Sequence, residues 1–178
     1  MEDERILTLR ALGAQIGRGV FFGPDVYIEH HFAPLLKIED GAVLARGVCV
    51  LLHDSGLNNV AGAPLQFGKV ILRRNCYIGA NTTVLCGVEI GEGALVGAAA
   101  LVTRDVPAGA VAYGHPARVR GSVAELAERH RQGPDGGRRL LYLDLPAWRD
   151  RRTPEDTARA AARIDALLRG ISWDEEEA

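Results

Sequence analysis

The chain has 178 residues, with 21 Lys and Arg against 23 Asp and Glu, for a net charge of −2. That balance excludes a broad basic face for nucleic acid, and no apolar run approaches the ~20 residues of a membrane span. Three cysteines without metal-type spacing read as free thiols in a cytoplasmic setting, while 47% hydrophobic residues with only 6% aromatic point to a repetitive, aliphatic core.

Residues 1–11 form an N-terminal segment whose head, Met1-Glu2-Asp3-Glu4-Arg5, is acidic and carries no leader-like apolar stretch. Apolar residues then recur at every sixth position. The first group is Ile16, Phe22 and Ile28, and the second is Ile38, Leu44 and Val50. The third register runs unbroken through Leu72, Ile78, Val84, Ile90, Val96 and Val102. Four residues after each of the last six stands a small or β-branched side chain: Cys76, Thr82, Val88, Ala94, Ala100 and Val106. A period of six is neither helical nor simply alternating. It predicts a hexapeptide solenoid, with a short strand and a turn in each repeat and three repeats closing a triangular coil. About four coils are expected, beginning at Ile16, Ile38, Leu72 and Ile90, within a domain spanning residues 12–120.

Two interruptions follow the third repeat of a coil. Residues Pro34–Lys37 separate the first coil from the second, and a longer insertion near Ser55–Ile71 separates the second from the third. Both should leave the prism at one corner, stacked one above the other, where inserted loops commonly carry function.

After Pro107 the register stops, and residues 108–120 read as an exit loop. Ser122-Val123-Ala124-Glu125 is a capping box that opens a helix over 123–132. A short strand at Arg138–Leu145 and a second helix from Thr153 to Gly170 complete a largely helical tail, residues 121–178.

Several stretches carry a family resemblance. They are Tyr77-Ile78-Gly79-Ala80-Asn81, Cys86-Gly87-Val88-Glu89-Ile90-Gly91, Val96-Gly97-Ala98, Leu101–Pro107 and Gly114-His115-Pro116-Ala117-Arg118-Val119. Together they resemble the hexapeptide-repeat acyltransferases, and in particular the maltose, galactoside and lipopolysaccharide-type O-acetyltransferases. The likeness departs in Gly97-Ala98-Ala99-Ala100, where the family usually has Ser after a G-A-G stretch, at Arg104 in place of Lys, and at Tyr77, where Trp is common. It implies a mainly β fold, a left-handed parallel β-helix with a C-terminal helical extension. It also implies acetyl-CoA as co-substrate, and a homotrimer with active sites between subunits.

Acyl transfer from a thioester needs a base for the acceptor's proton, a site for the oxyanion and a grip on the carrier. Histidine is the natural base. His53 lies where the second coil ends and the long insertion begins, and the resemblance places the catalytic base in this segment, with Asp54 available to orient the ring. Glu29, His30 and His31, one coil below at the same corner, are candidates for the acceptor, as is Tyr77. By resemblance, Ala80 and Ala98 would meet the pantetheine arm, and Thr103, Arg104 and Arg118 the phosphates or adenine. His115 and His130 read as structural or exposed. No metal is expected, because His30, His31 and His53 lack zinc-type spacing. The expected reaction is acetyl transfer to a hydroxyl of a sugar or polysaccharide precursor. The alternatives are N-acetylation of an amino sugar, nucleotide sugar or antibiotic, and a non-catalytic β-helix that binds without turnover.

Overall fold

The computed structural model describes residues 3–132 and the single position 162. Residues 3–132 belong to a unit spanning residues 1–132, and Ala162 belongs to a second unit over 133–178. The expected strand at 138–145 lies outside the described residues. So does the second helix except for Ala162, which is helical and exposed.

The elements in chain order are α1 (Glu4–Ala11), β1 (Gln15–Ile16), β2 (Phe21–Phe22), β3 (Tyr27–Ile28), a 3-10 turn (His30–Leu35), β4 (Leu36–Ile38), β5 (Val43–Leu44) and β6 (Cys49–Val50). The long insertion holds β7 (His53–Asp54), α2 (Gly56–Ala61) and β8 (Gln66–Phe67). Then come β9 (Val70–Leu72), β10 (Tyr77–Ile78), β11 (Thr83–Val84), β12 (Glu89–Ile90), β13 (Leu95–Val96), β14 (Leu101–Val102), β15 (Ala110–Gly114), β16 (Ala117–Ser122) and α3 (Val123–Arg131).

The strands stack into three sheets. The first is ordered β1-β4-β9-β12 and the third β14-β11-β6-β3, both parallel throughout. The second, β16-β15-β13-β10-β5-β2, is parallel except for its last pair. Successive strands of the chain therefore visit the three sheets in turn, as a six-residue repeat requires. The apolar positions face inward. Leu72, Ile78, Val84, Ile90, Val96 and Val102 are fully buried, and so is the small-residue set from Cys76 to Val106. Each buried aliphatic contributes roughly 1.5–3 kcal/mol, offset by the entropy of ordering the backbone. Thr82, the polar member of the small set, satisfies its hydroxyl by donating to Gly97 O at 2.9 Å.

The corners need left-handed backbone. Gly47 (φ 68°) and Asn81 (φ 57°) occupy equivalent corners of neighbouring rounds. A Cβ on Gly47 would sit 2.3 Å from Asn81 Oδ1, so the glycine provides both the conformation and the space for its neighbour.

Three features depart from the sequence reading. Residues 4–11, expected as an undefined segment, form α1, with Asp3 accepting from Arg5 N as its cap. This helix closes the N-terminal end of the solenoid. Ile6 and Leu9 are buried, Arg10 donates to Ile16 O and Gly17 O, and Arg5 donates to Phe22 O and Gly23 O. The carbonyls of the first round, which would otherwise form an open edge, thereby gain partners. Second, Ile16 is only partly buried, because it belongs to that end round. Third, residues 110–122 are not an exit loop but an antiparallel hairpin, β15–β16, with His115-Pro116 at its tip. β15 extends the second sheet past β13, so the ladder continues beyond the last regular repeat.

The capping box appears as expected. Ser122 accepts from Glu125 N, and the Glu125 carboxylate accepts from Ser122 N. The two interruptions do meet at one corner. The shorter is absorbed by the 3-10 turn. The longer leaves as β7 and returns as β8, an antiparallel ribbon with His53 opposite Phe67.

Candidate active site

The corner after β6 holds the site. His53 begins the ribbon, and Glu29 follows β3 one round below. The Nδ1 atom of His53 is sealed from solvent and lies against Glu29 Oε1. The carboxylate is itself buried, at 7% exposure, and is anchored through its other oxygen. Glu29 Oε2 accepts from Leu52 N at 2.8 Å and from His53 N at 3.1 Å. Burial works to raise the pKa of this carboxyl. The His53 ring and the two amides outweigh it, so the group is held below its ordinary value and stays ionised. An ionised carboxylate against Nδ1 selects the tautomer with the proton on that nitrogen, leaving the Nε2 lone pair free. The His53 side chain is 28% exposed, so the ring is held from below and open at one edge.

This geometry corrects two expectations. Asp54 does not orient the imidazole. Its Oδ1 accepts from Gly56 N at 2.7 Å and the residue is exposed. Adjacent strand residues point to opposite sides, so Asp54 faces away from the ring that His53 presents. Glu29, expected on the acceptor side, is instead the buried partner of His53. The signal was available: an acidic residue directly after the interior position Ile28, one repeat-stack below the histidine.

Two aromatic rings complete the surroundings. Phe32, on the 3-10 turn before β4, has its centroid 5.0 Å from that of His53. Phe67, from the longer insertion, lies 6.0 Å from His53 and 5.0 Å edge-on from Phe32. Neither was singled out from the sequence, since a phenylalanine in an irregular turn or insertion carries no periodic signal. His30 and His31 are exposed on the turn that carries Phe32, with ring centroids 4.1 Å apart.

The remaining candidates are spread over the prism. Tyr77 is exposed on β10 in the second sheet and does not join the His53 group within one chain, because each six-residue step moves the chain to the next face. Ala80 and Ala98 lie at the corners between the second and third sheets. Ala80 O accepts from Ala99 N at 2.8 Å, and a Cβ on Gly79 would stand 2.5 Å from Ala98 N, so backbone packs on backbone there. Thr103 and Arg104 follow β14, on the same corner column as His53, two strand spacings away or about 10 Å. Arg118 is exposed on β16 and donates to Ala117 O.

The thiols are poor nucleophiles. Burial pushes the Cys76 thiol up to about 12. Cys49 and Cys86 are also raised, first by burial and then by the negative charge of Glu29 and, for Cys86, of Asp54. A neutral thiol does not attack a thioester readily.

The described residues can be set beside known proteins. The bacterial transferase hexapeptide family, in its six-repeat form, matches residues 69–104. A dTDP-3-amino-3,6-dideoxy-alpha-D-galactopyranose 3-N-acetyltransferase of Aneurinibacillus thermoaerophilus is 46% identical over 66 residues, covering 37% of this chain and 34% of that one. The putative acetyltransferase YvoF of Bacillus subtilis is 32% identical over 118 residues, which is 66% of each chain. The hexapeptide-repeat-containing acetyltransferase VCA0836 of Vibrio cholerae superposes with a TM-score of 0.53 at 20% identity, over 67% of this chain and 80% of that one, a likeness of fold. This chain thus spans about a third of the first relative's length and 66% of the second's. With its six-residue register, its parallel sheets and these matches, the chain belongs to the hexapeptide-repeat acyltransferase family.

Proposed function

We propose that the protein transfers an acetyl group from acetyl-CoA directly to an acceptor, with His53 as general base and Glu29 as the residue that holds it. The observation that carries this reading is the buried carboxylate against Nδ1, which leaves Nε2 as the one ring atom able to take a proton. In the reaction Nε2 accepts the proton of the acceptor's N–H or O–H as that atom bonds to the thioester carbonyl carbon. The tetrahedral intermediate then collapses, the C–S bond breaks, and the coenzyme A thiolate takes the proton back from the imidazolium. No acyl-enzyme is involved, in keeping with the raised thiol pKa values.

The acceptor is a sugar. An amine is the first reading, because a relative of known name acetylates an amino sugar. A sugar hydroxyl, as the sequence resemblance implies, is the second, since the same base serves both. A non-catalytic scaffold would have no use for an ionised Glu29 buried against His53, since desolvating a carboxylate costs stability unless chemistry gains from it. Ala80, Ala98, Thr103, Arg104 and Arg118 hold the co-substrate, the arginines through its phosphates. Tyr77, on a different sheet, contributes to the acceptor site only across a subunit boundary. The fold that supports this is a left-handed prism of about four coils within residues 12–120. It works as a homotrimer, and in a reducing cytoplasm, where its three free thiols persist.

The test is His53→Ala against a panel of amino sugars, nucleotide-linked sugars and sugar alcohols, read as coenzyme A thiol release and as the mass of one acetyl group on the acceptor. Loss of ~10²–10⁴ in kcat is expected for removal of a general base. A folded variant that turns over at the wild-type rate removes the mechanism.

A further inference from the structure

We infer that Phe32 and Phe67 are positioning residues that clamp the His53 imidazole, and that the long insertion exists in part to deliver the second jaw. The inference rests on the reading of His53 as the base. Glu29 fixes the ring at a single atom, and one contact at Nδ1 leaves the imidazole free to swing about that point. The two phenyl rings remove that freedom. Phe32 lies tilted at 57° to the imidazole with centroids 5.0 Å apart, and Phe67 lies near-parallel at 27° and 6.0 Å. The two phenyl rings also pack on each other edge-on at 5.0 Å, so each is held by the other as well as by its own loop.

Stability does not explain the ring at position 67. Phe67 is 51% exposed, so about half of the gain from burying a phenyl group is forgone within one chain. What is specific about it is its register. The antiparallel ribbon pairs His53 with Phe67, and residues directly opposite in such a pair project to the same side. The insertion runs out through α2 and returns in the one register that sets a ring beside the catalytic one. Gly68, next along, packs against the backbone of Cys86 and Gly87, where a Cβ would stand 2.3 Å from Gly87 N, so the return strand is seated on the following round. The clamp also acts on charge. Once Nε2 has taken the proton, the imidazolium lies within the ~6 Å range of both ring centroids over which aromatic groups attract cations. The neutral base gains nothing comparable, so the contact favours the protonated state reached during transfer.

The experiment compares Phe67→Ala, Phe67→Tyr and, as a control on a distant face, Phe21→Ala in the full chain. Two readouts are taken. One is the imidazole ¹H–¹⁵N spectrum of His53, assigned by its disappearance in His53→Ala. The other is turnover of acetyl-CoA with water or the best acceptor of the panel. In the wild type the His53 ring shows a single tautomer with the proton on Nδ1. In Phe67→Ala that tautomer persists, because Glu29 still holds Nδ1, but the ring signals shift and broaden as the imidazole swings about that atom, and kcat falls about tenfold while KM for acetyl-CoA is unchanged. Phe67→Tyr restores both readouts, and Phe21→Ala changes neither.

Wild-type ring signals in Phe67→Ala overturn the clamp, as does a rise in KM with kcat intact, or an equal defect in Phe67→Tyr. If His53→Ala keeps full turnover, the proposed function fails, and the spectrum still decides whether the clamp exists.

Discussion

Glu29→Gln perturbs the dyad with the least change of shape. The wild-type carboxylate makes three contacts: Oε2 with two amides, Leu52 N at 2.8 Å and His53 N at 3.1 Å, and Oε1 with His53 Nδ1. Glutamine offers one oxygen and one NH2 for the same places. With its oxygen toward the amides, both backbone donors stay satisfied and the NH2 faces Nδ1. That nitrogen must then accept, the ring proton moves to Nε2, and the lone pair needed for the acceptor's proton is gone. With the side chain flipped, Nδ1–H keeps an acceptor but two buried backbone N–H groups face a donor. Each such loss costs ~1–3 kcal/mol, about 2–6 kcal/mol together, so the first orientation wins. Loss of the working tautomer in a hydrolase triad lowers kcat by about 10⁴, and a fall of that order, ~10³–10⁴, is expected here. The assay is thiol release from acetyl-CoA at saturating acceptor, with KM for acetyl-CoA as the internal control and circular dichroism as the check on folding. A folded Glu29→Gln protein whose kcat stays within about tenfold of wild type refutes the tautomer argument.

Asp54→Ala should cost little. It removes one exposed local hydrogen bond to Gly56 N, worth about 0.5–1.5 kcal/mol, and kcat should change by less than about tenfold. A loss comparable to that of Glu29→Gln would return the orienting role to Asp54. Acid sensitivity carries a sign of its own. The Glu29 carboxyl is depressed below its ordinary 4.5, with burial opposing and the ring and amides prevailing. Its contribution to stability is therefore complete above that unfolded value and is lost as pH falls through the lowered folded one. Glu39, depressed chiefly by Lys37, and Glu89, depressed chiefly by Arg73, act in the same direction at the surface. Melting temperatures should fall more steeply between neutral pH and pH ~3 for the wild type than for Glu29→Gln. Parallel curves would count against the Glu29 contribution.

Much of the architecture is legible in the chain because the solenoid is nearly one-dimensional. A residue's position modulo six tells whether it points inward, and Leu44, Val84 and Val96, picked by register alone, are fully buried. The common corner of the two insertions follows from the same counting. What escaped is what counting does not reach. Helix α1 has only Ile6 and Leu9 on its buried face, too few to show a period. The hairpin of residues 110–122 was hidden by Gly114 and Pro116, which mark a turn but do not say that the chain comes back through it. The partner of His53 escaped because sequence adjacency favoured Asp54, whereas a strand turns its neighbours apart and the solenoid brings together residues one round away.

Because the Glu29–His53 pair is split between rounds, the spacing of stacked strands acts as a gauge for the pair. Glu29 and His53 reach each other across a single step of about 4.8 Å. One extra round placed between them would double that distance and leave a buried carboxylate with no ring to hold. A round added beneath β1 or above β14 would change no distance in the dyad. The repeat number of such a protein is therefore free to drift at its ends and frozen at this one joint. Gene duplication can lengthen the prism without changing the distance between Glu29 and His53, provided it spares residues 29–53.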